Sequence, residues 1–178
     1  MINQPIFLKK FGRQSYLKPS MSGQEGLFNQ QVDINKLETV ICMEQVLDVC
    51  YQSLSQLIHN QDVRRKCQRF RWNAQRHQEE LKRMFLLSQE NEAAIESKVS
   101  KYLLLLDPSC LFLGTVINLA VSLTAYKQDI YEYFSRASQE HHGPLNQFIK
   151  DTVEEISFLR WERNFHQNDL ADRCLKVC

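Results

Sequence analysis

The stretch VRRKCQRFRWNAQRHQEELKRM, residues 63–84, decides the fold. Val63, Cys67, Phe70, Ala74, Leu81 and Met84 recur every three or four positions, the period of an α-helix with one buried face. His77 fills the place in that register where an apolar residue is missing, and Glu80 follows at i+3. Arg65, Arg69, Arg76 and Arg83 decorate the outer side, with Trp72 among them. A helix this polar gains its stability from covering its stripe, so other helices must pack against it.

Those helices can be read on either side. Upstream, Asp33 offers an N-cap to a helix running to about His59, with Leu37, Val40, Ile41, Leu47, Tyr51, Leu54 and Ile58 in register and Glu44 in their midst. Asn60-Gln61-Asp62 is a short connection, which makes an antiparallel hairpin of this helix and the next. The second helix is expected to reach about Gln89. Residues 90–109 contain a minor helix, Ala93 to Leu106, stopped by Asp107-Pro108, and are long enough to cross from one end of a bundle to the other. A third helix spans about Leu111 to Ser138, with Leu113, Val116, Ala120, Leu123, Lys127, Ile130 and Phe134 inward. After the break at His141-His142-Gly143-Pro144, a fourth runs to about His166 on Leu145, Phe148, Thr152, Glu155, Leu159 and Glu162. The expected organisation is an irregular basic arm (1–31), a four-helix bundle (32–167, crossover 90–109) and a short terminal tail or helix (168–178). The fold class is all-α, in the order hairpin, long crossover, hairpin, which is the connectivity of a ferritin-like bundle.

Composition agrees. The 178 residues carry 43% hydrophobic side chains and a net charge of +1, enough apolar surface for one domain and no charge excess that names a partner. Five glycines and four prolines give too few turns for an all-β chain. The apolar run from Leu111 to Ala125 is shorter than the ~20 residues of a membrane span. No secretory signal is visible, so the expected location is cytoplasmic. Cys42, Cys50, Cys67, Cys110, Cys174 and Cys178 form no CxxC pair and read as free thiols, with Cys174 and Cys178 one turn apart.

Each long helix therefore aims a charged or metal-ligating residue at the core: Glu44, His77 with Glu80, Lys127, and Glu155. Buried charge is costly, so this set marks a site. At these positions the chain resembles the ferritin-like, rubrerythrin-type superfamily, over residues 33–166. Glu44 lies seven residues before Tyr51, as that family's first glutamate precedes an aromatic. His77-Gln78-Glu79-Glu80-Leu81-Lys82-Arg83-Met84-Phe85 has the layout of its Glu-x-x-His segment with the two ligands exchanged. Lys127, seven before Phe134, stands at the third-helix glutamate; Glu155 matches the fourth, and Phe158 replaces its histidine.

The resemblance implies a dimetal-carboxylate centre holding iron or manganese and an oxidoreductase or metal-handling role. Three arrangements stay open at this point. Glu44, His77, Glu80 and Glu155 hold a single metal, with Lys127 as a proton donor nearby. Alternatively Lys127 takes the place of the metal in an ionic network, leaving a metal-free interaction or structural protein. In the third, the helices are rotated and these residues reach solvent. A homodimer is one expected assembly. The arginine face of the second helix reads as a solvated surface rather than a nucleic-acid site, because no recognised motif surrounds it. Phosphate loops and nucleophile elbows are absent from the sequence.

Overall fold

In the computed structural model, residues 33–86, 93, 95–100, 113–138 and 140–175 are described, with side chains through His166. Among them every regular element is helical: α1 (Ile34–Leu57), α2 (Gln61–Met84), α3 (Leu113–Ala137) and α4 (His142–Leu175). The basic arm 1–31 lies outside the described residues, as do most of the crossover and the side chains of Cys174 and Cys178.

The helix starts follow local chemistry. Asp33 caps α1, its carboxylate accepting from the backbone N–H groups of Asn35 (3.2 Å) and Lys36 (3.3 Å). Asn60 caps α2 in the same way, accepting from Asp62 (2.9 Å) and Val63 (3.3 Å). Pro144 sits in the first turn of α4, where its missing N–H costs nothing.

Two helix ends differ from expectation. α2 stops at Met84, short of Gln89, because the chain turns at Phe85 and Leu86 adopts a left-handed φ of 48°. Helix four does not end near His166 with a separate terminal helix. It continues through Leu175, since no glycine or proline interrupts residues 167–175.

α1 pairs with α2, and α3 with α4, as hairpins. α1 also packs along α3 in the opposite direction: Lys36 lies over the Tyr133 ring, while Tyr51, near the other end of α1, reaches Thr124. α2 runs against α4, with Phe70 on Phe158 and Arg76 on Asp151. The core between them is built from the expected stripes, including the fully buried Leu37, Ile41, Leu47, Phe70, Leu81 and Leu159. Each such side chain contributes about 1.5–3 kcal/mol by leaving water. Residues 95–100 are helical and add Ile95 and Val99 to the same core. No helix among the described residues is long and apolar enough to cross a membrane.

Candidate functional site

Four charged side chains from the four helices, Glu44, His77, Lys127 and Glu155, are each 0% exposed. They come together at mid-height because every one occupies an apolar register position of its helix. Lys127 is the hub. Its ammonium donates to Glu44 Oε2 at 3.1 Å and to Glu155 Oε2 at 2.7 Å. His77 Nδ1 meets the other Glu44 oxygen at 3.0 Å, and its Nε2 lies 3.1 Å from Asp151 Oδ2.

Two tyrosines complete the hydrogen bonding. Tyr131 donates its hydroxyl to Glu44 Oε1, and Tyr51 donates to Glu155 Oε2 at 3.1 Å. Glu44 thus receives three donors through two oxygens, while among the described residues Glu155 Oε1 has no hydrogen-bond partner. Arg76 extends the network outward through Asp151 at 2.5 Å. Its Nη2 also approaches His77 Nε2 at 3.4 Å, a donor facing a donor across the Asp151 oxygen that both share. Phe148 covers the imidazole at a centroid distance of 4.2 Å, so water is kept from that side.

The electrostatics follow from this geometry. Burial by itself would raise the Glu44 carboxyl, but Lys127 and then His77 outweigh it and hold the group at about 2, below its ordinary 4.5. Burial works against the His77 and Lys127 cations too. Glu44 and Asp151 nevertheless hold the imidazole above 6.5, and Glu155 and Glu44 hold the ammonium above 10.5. A carboxylate on each ring nitrogen favours the imidazolium form of His77, which donates at both. Glu155 departs in the other direction: burial, with the Glu44 charge nearby, raises it above 4.5 despite Lys127. Burial, reinforced by the neighbouring carboxylates, also drives the Tyr51 and Tyr131 hydroxyls well above 10, so both remain donors.

Of the expected set, the structure therefore brings Glu44, His77, Lys127 and Glu155 together and leaves Glu80 out. The Glu80 side chain is 38% exposed and faces Arg76 at 3.8 Å. The i+3 step from a fully inward His77 carries it around the helix toward the surface. Phe158 packs on Phe70 with centroids 5.3 Å apart. The arginine face is largely neutralised, with Arg65 against Asp62, Arg69 against Glu154 and Arg76 against Asp151.

Sequence reasoning missed Asp151 and the roles of Tyr51 and Tyr131. The signal was present as i, i+4 spacing: Tyr131 follows Lys127 by one turn, and Asp151 precedes Glu155 by one.

As for metal, Glu44 and His77 have their donor atoms already engaged by protein partners, and Glu155 keeps one open oxygen. Among the described residues there is no group of three or more His, Cys, Asp or Glu side chains arranged to hold an ion. Comparison of the chain with protein-family models, curated proteins and solved structures returned no match.

Proposed function

We propose that this chain is a metal-free bundle of the ferritin-like kind that works through binding, its centre occupied by a lysine where a dimetal bundle would carry ions. One observation carries the reading: the Lys127 ammonium lies between Glu44 and Glu155, supplying the positive charge that two buried carboxylates require. Residues engaged this fully do not fit iron or manganese. A dication would have to displace an ammonium that its neighbours hold in the charged form.

The helix directions support the crossover. α1 opposes both α2 and α3, so α2 ends and α3 begins at opposite ends of the bundle. Reduced thiols support a cytoplasmic setting: Cys42, Cys50 and Cys67 are free and buried. Burial pushes them to about 11, 12 and 12, which suppresses the reactive thiolate.

Elemental analysis of protein expressed with iron and manganese supplied tests the proposal. The expected result is sub-stoichiometric metal that Glu44→Ala and His77→Ala leave unchanged. One equivalent of either metal, lost in those variants, refutes it.

A further inference from the structure

A second polar feature lies away from the central network and does not rest on the reading given above. At the Asn60 end of the bundle, the start of α2 and the middle of α4 enclose a cleft of about 470 Å³. Its apolar walls are Phe158, 8% exposed, and Trp161, 59% exposed. The Trp161 indole stacks on Phe165 with centroids 5.6 Å apart and planes 15° from parallel, which presents a firm aromatic surface beside the opening.

Three carboxylates line the same cleft, and they differ in what already satisfies them. Glu154 is held by Arg69, and Asp62 faces Arg65 at 3.6 Å. Glu162 is only 3% exposed, and among the described residues its Oε1 has no hydrogen-bond partner. Its other oxygen lies 3.4 Å from His166 Nε2. A buried acceptor without a donor has given up its water and received nothing in return, so the site favours whatever supplies one. Lys66 lines the cleft as well, but its ammonium sits over the Phe158 ring, 5.3 Å from the centroid. Among the described residues it makes no ion pair with Glu162. The cleft thus already accommodates one ammonium on an aromatic face and, among the described residues, leaves one oxygen of its most buried carboxylate without a donor.

An open buried carboxylate beside aromatic surface complements one ligand chemistry. An anion would face the Glu162 carboxylate, and a neutral apolar molecule would leave its Oε1 unsatisfied. An ammonium supplies both the donor and the charge, and its carbon chain covers the rings. We infer that this cleft binds a small organic cation of the alkylammonium type, its N–H on Glu162 and its alkyl chain against Trp161 and Phe158. Burial raises the free Glu162 carboxyl above its ordinary 4.5, and a bound cation opposes that shift.

The test uses the full chain carrying Trp72→Phe, which leaves Trp161 as its one tryptophan. Titration with n-butylammonium is expected to give a saturable change in Trp161 emission, whereas n-butanol and butyrate do not. Glu162→Gln is expected to weaken binding about tenfold or more, the loss of one charge-assisted contact. Should Glu162→Gln fail to fold, Trp161→Ala at an exposed position serves instead, followed by titration calorimetry, with the same weakening expected. Comparison with Nα-acetyl-lysine methylamide separates two sources of the cation. Tighter binding than n-butylammonium assigns the site to a protein lysine side chain, and weaker binding to a free amine. An equal response to n-butanol, no saturable response to either amine, or unchanged affinity in the variants overturns the inference.

Discussion

Replacing Lys127 by methionine removes the central positive charge while keeping most of the side-chain volume. Its ammonium sits 3.1 Å from Glu44 Oε2 and 2.7 Å from Glu155 Oε2, with all three side chains fully buried. Removing one member of a buried pair costs about 3–5 kcal/mol, because the charge left behind has lost both water and partner. The depression of Glu44 below its ordinary 4.5, with Lys127 the largest lowering influence, has the direction this pairing requires.

Lys127→Met should therefore lose about 3–5 kcal/mol at pH 7, a large part of the stability of an ordinary domain. The loss should shrink at pH 5. Without the ammonium, Glu155, already raised, and then Glu44 take up protons more readily folded than unfolded, and that uptake relieves the stranded charge. Urea unfolding followed by far-UV circular dichroism at both pH values measures this, with the midpoint moving and the slope unchanged. Adding Glu155→Gln to Lys127→Met should recover part of the loss, because it neutralises one of the two uncompensated carboxylates. A loss below about 1 kcal/mol at pH 7, or the same loss at both pH values, would refute the buried-network reasoning.

Other perturbations follow from the same geometry. His77 is held above 6.5, so its contribution is complete below that pH and disappears as pH rises through the raised value; His77→Gln should flatten that limb of the stability–pH curve. Glu44 contributes fully above pH 4.5 and loses its contribution as pH falls toward about 2, so Glu44→Gln should remove that acid limb in urea titrations. Glu80→Ala should change stability by no more than about 0.5 kcal/mol in the same assay, because only a partly exposed pair with Arg76 is lost. Leu86→Gly should raise the melting temperature, a gain of about 1 kcal/mol, since glycine accepts the φ of 48° without the steric cost that leucine bears.

Much of the fold is legible because the relevant forces are local and periodic. Asp33 and the three residues from Asn60 to Asp62 place the start of α1 and the first hairpin within a residue or two. The apolar registers of α1 to α4 name most of the core but miss residues such as Met43, Val46, Ile117 and Tyr131, which are buried because α1 and α3 each pack against two neighbouring helices. Helix ends are less legible where the stop signal is conformational: nothing in Phe85-Leu86 looks like a glycine cap, yet the chain turns there. The opposite holds at His166, where the sequence lacks a breaker and the helix simply continues.

The site divides along the same line. Glu44, His77, Lys127 and Glu155 can be found from sequence because a charge in an apolar register is conspicuous within one helix. Glu80 looked equivalent to them, since i+3 spacing shares a face only approximately, and the width of the buried face is set by the neighbouring helices. Asp151 and Arg76 sit beside the stripes, and their part in the network depends on how closely α2 approaches α4.

The sequence by itself determined that this protein is helical, which faces are buried, and that charge lies among the apolar residues, because periodicity and capping act within single segments. Only the tertiary structure decided which of those charges meet. Whether Lys127 bridges Glu44 and Glu155, whether His77 has a carboxylate on each nitrogen, and whether Glu162 Oε1 is left open beside Trp161 all depend on distances between side chains tens of residues apart. Electrostatic energy changes by several kcal/mol over a few ångströms in a dry interior, and no spacing along a single chain segment specifies such distances.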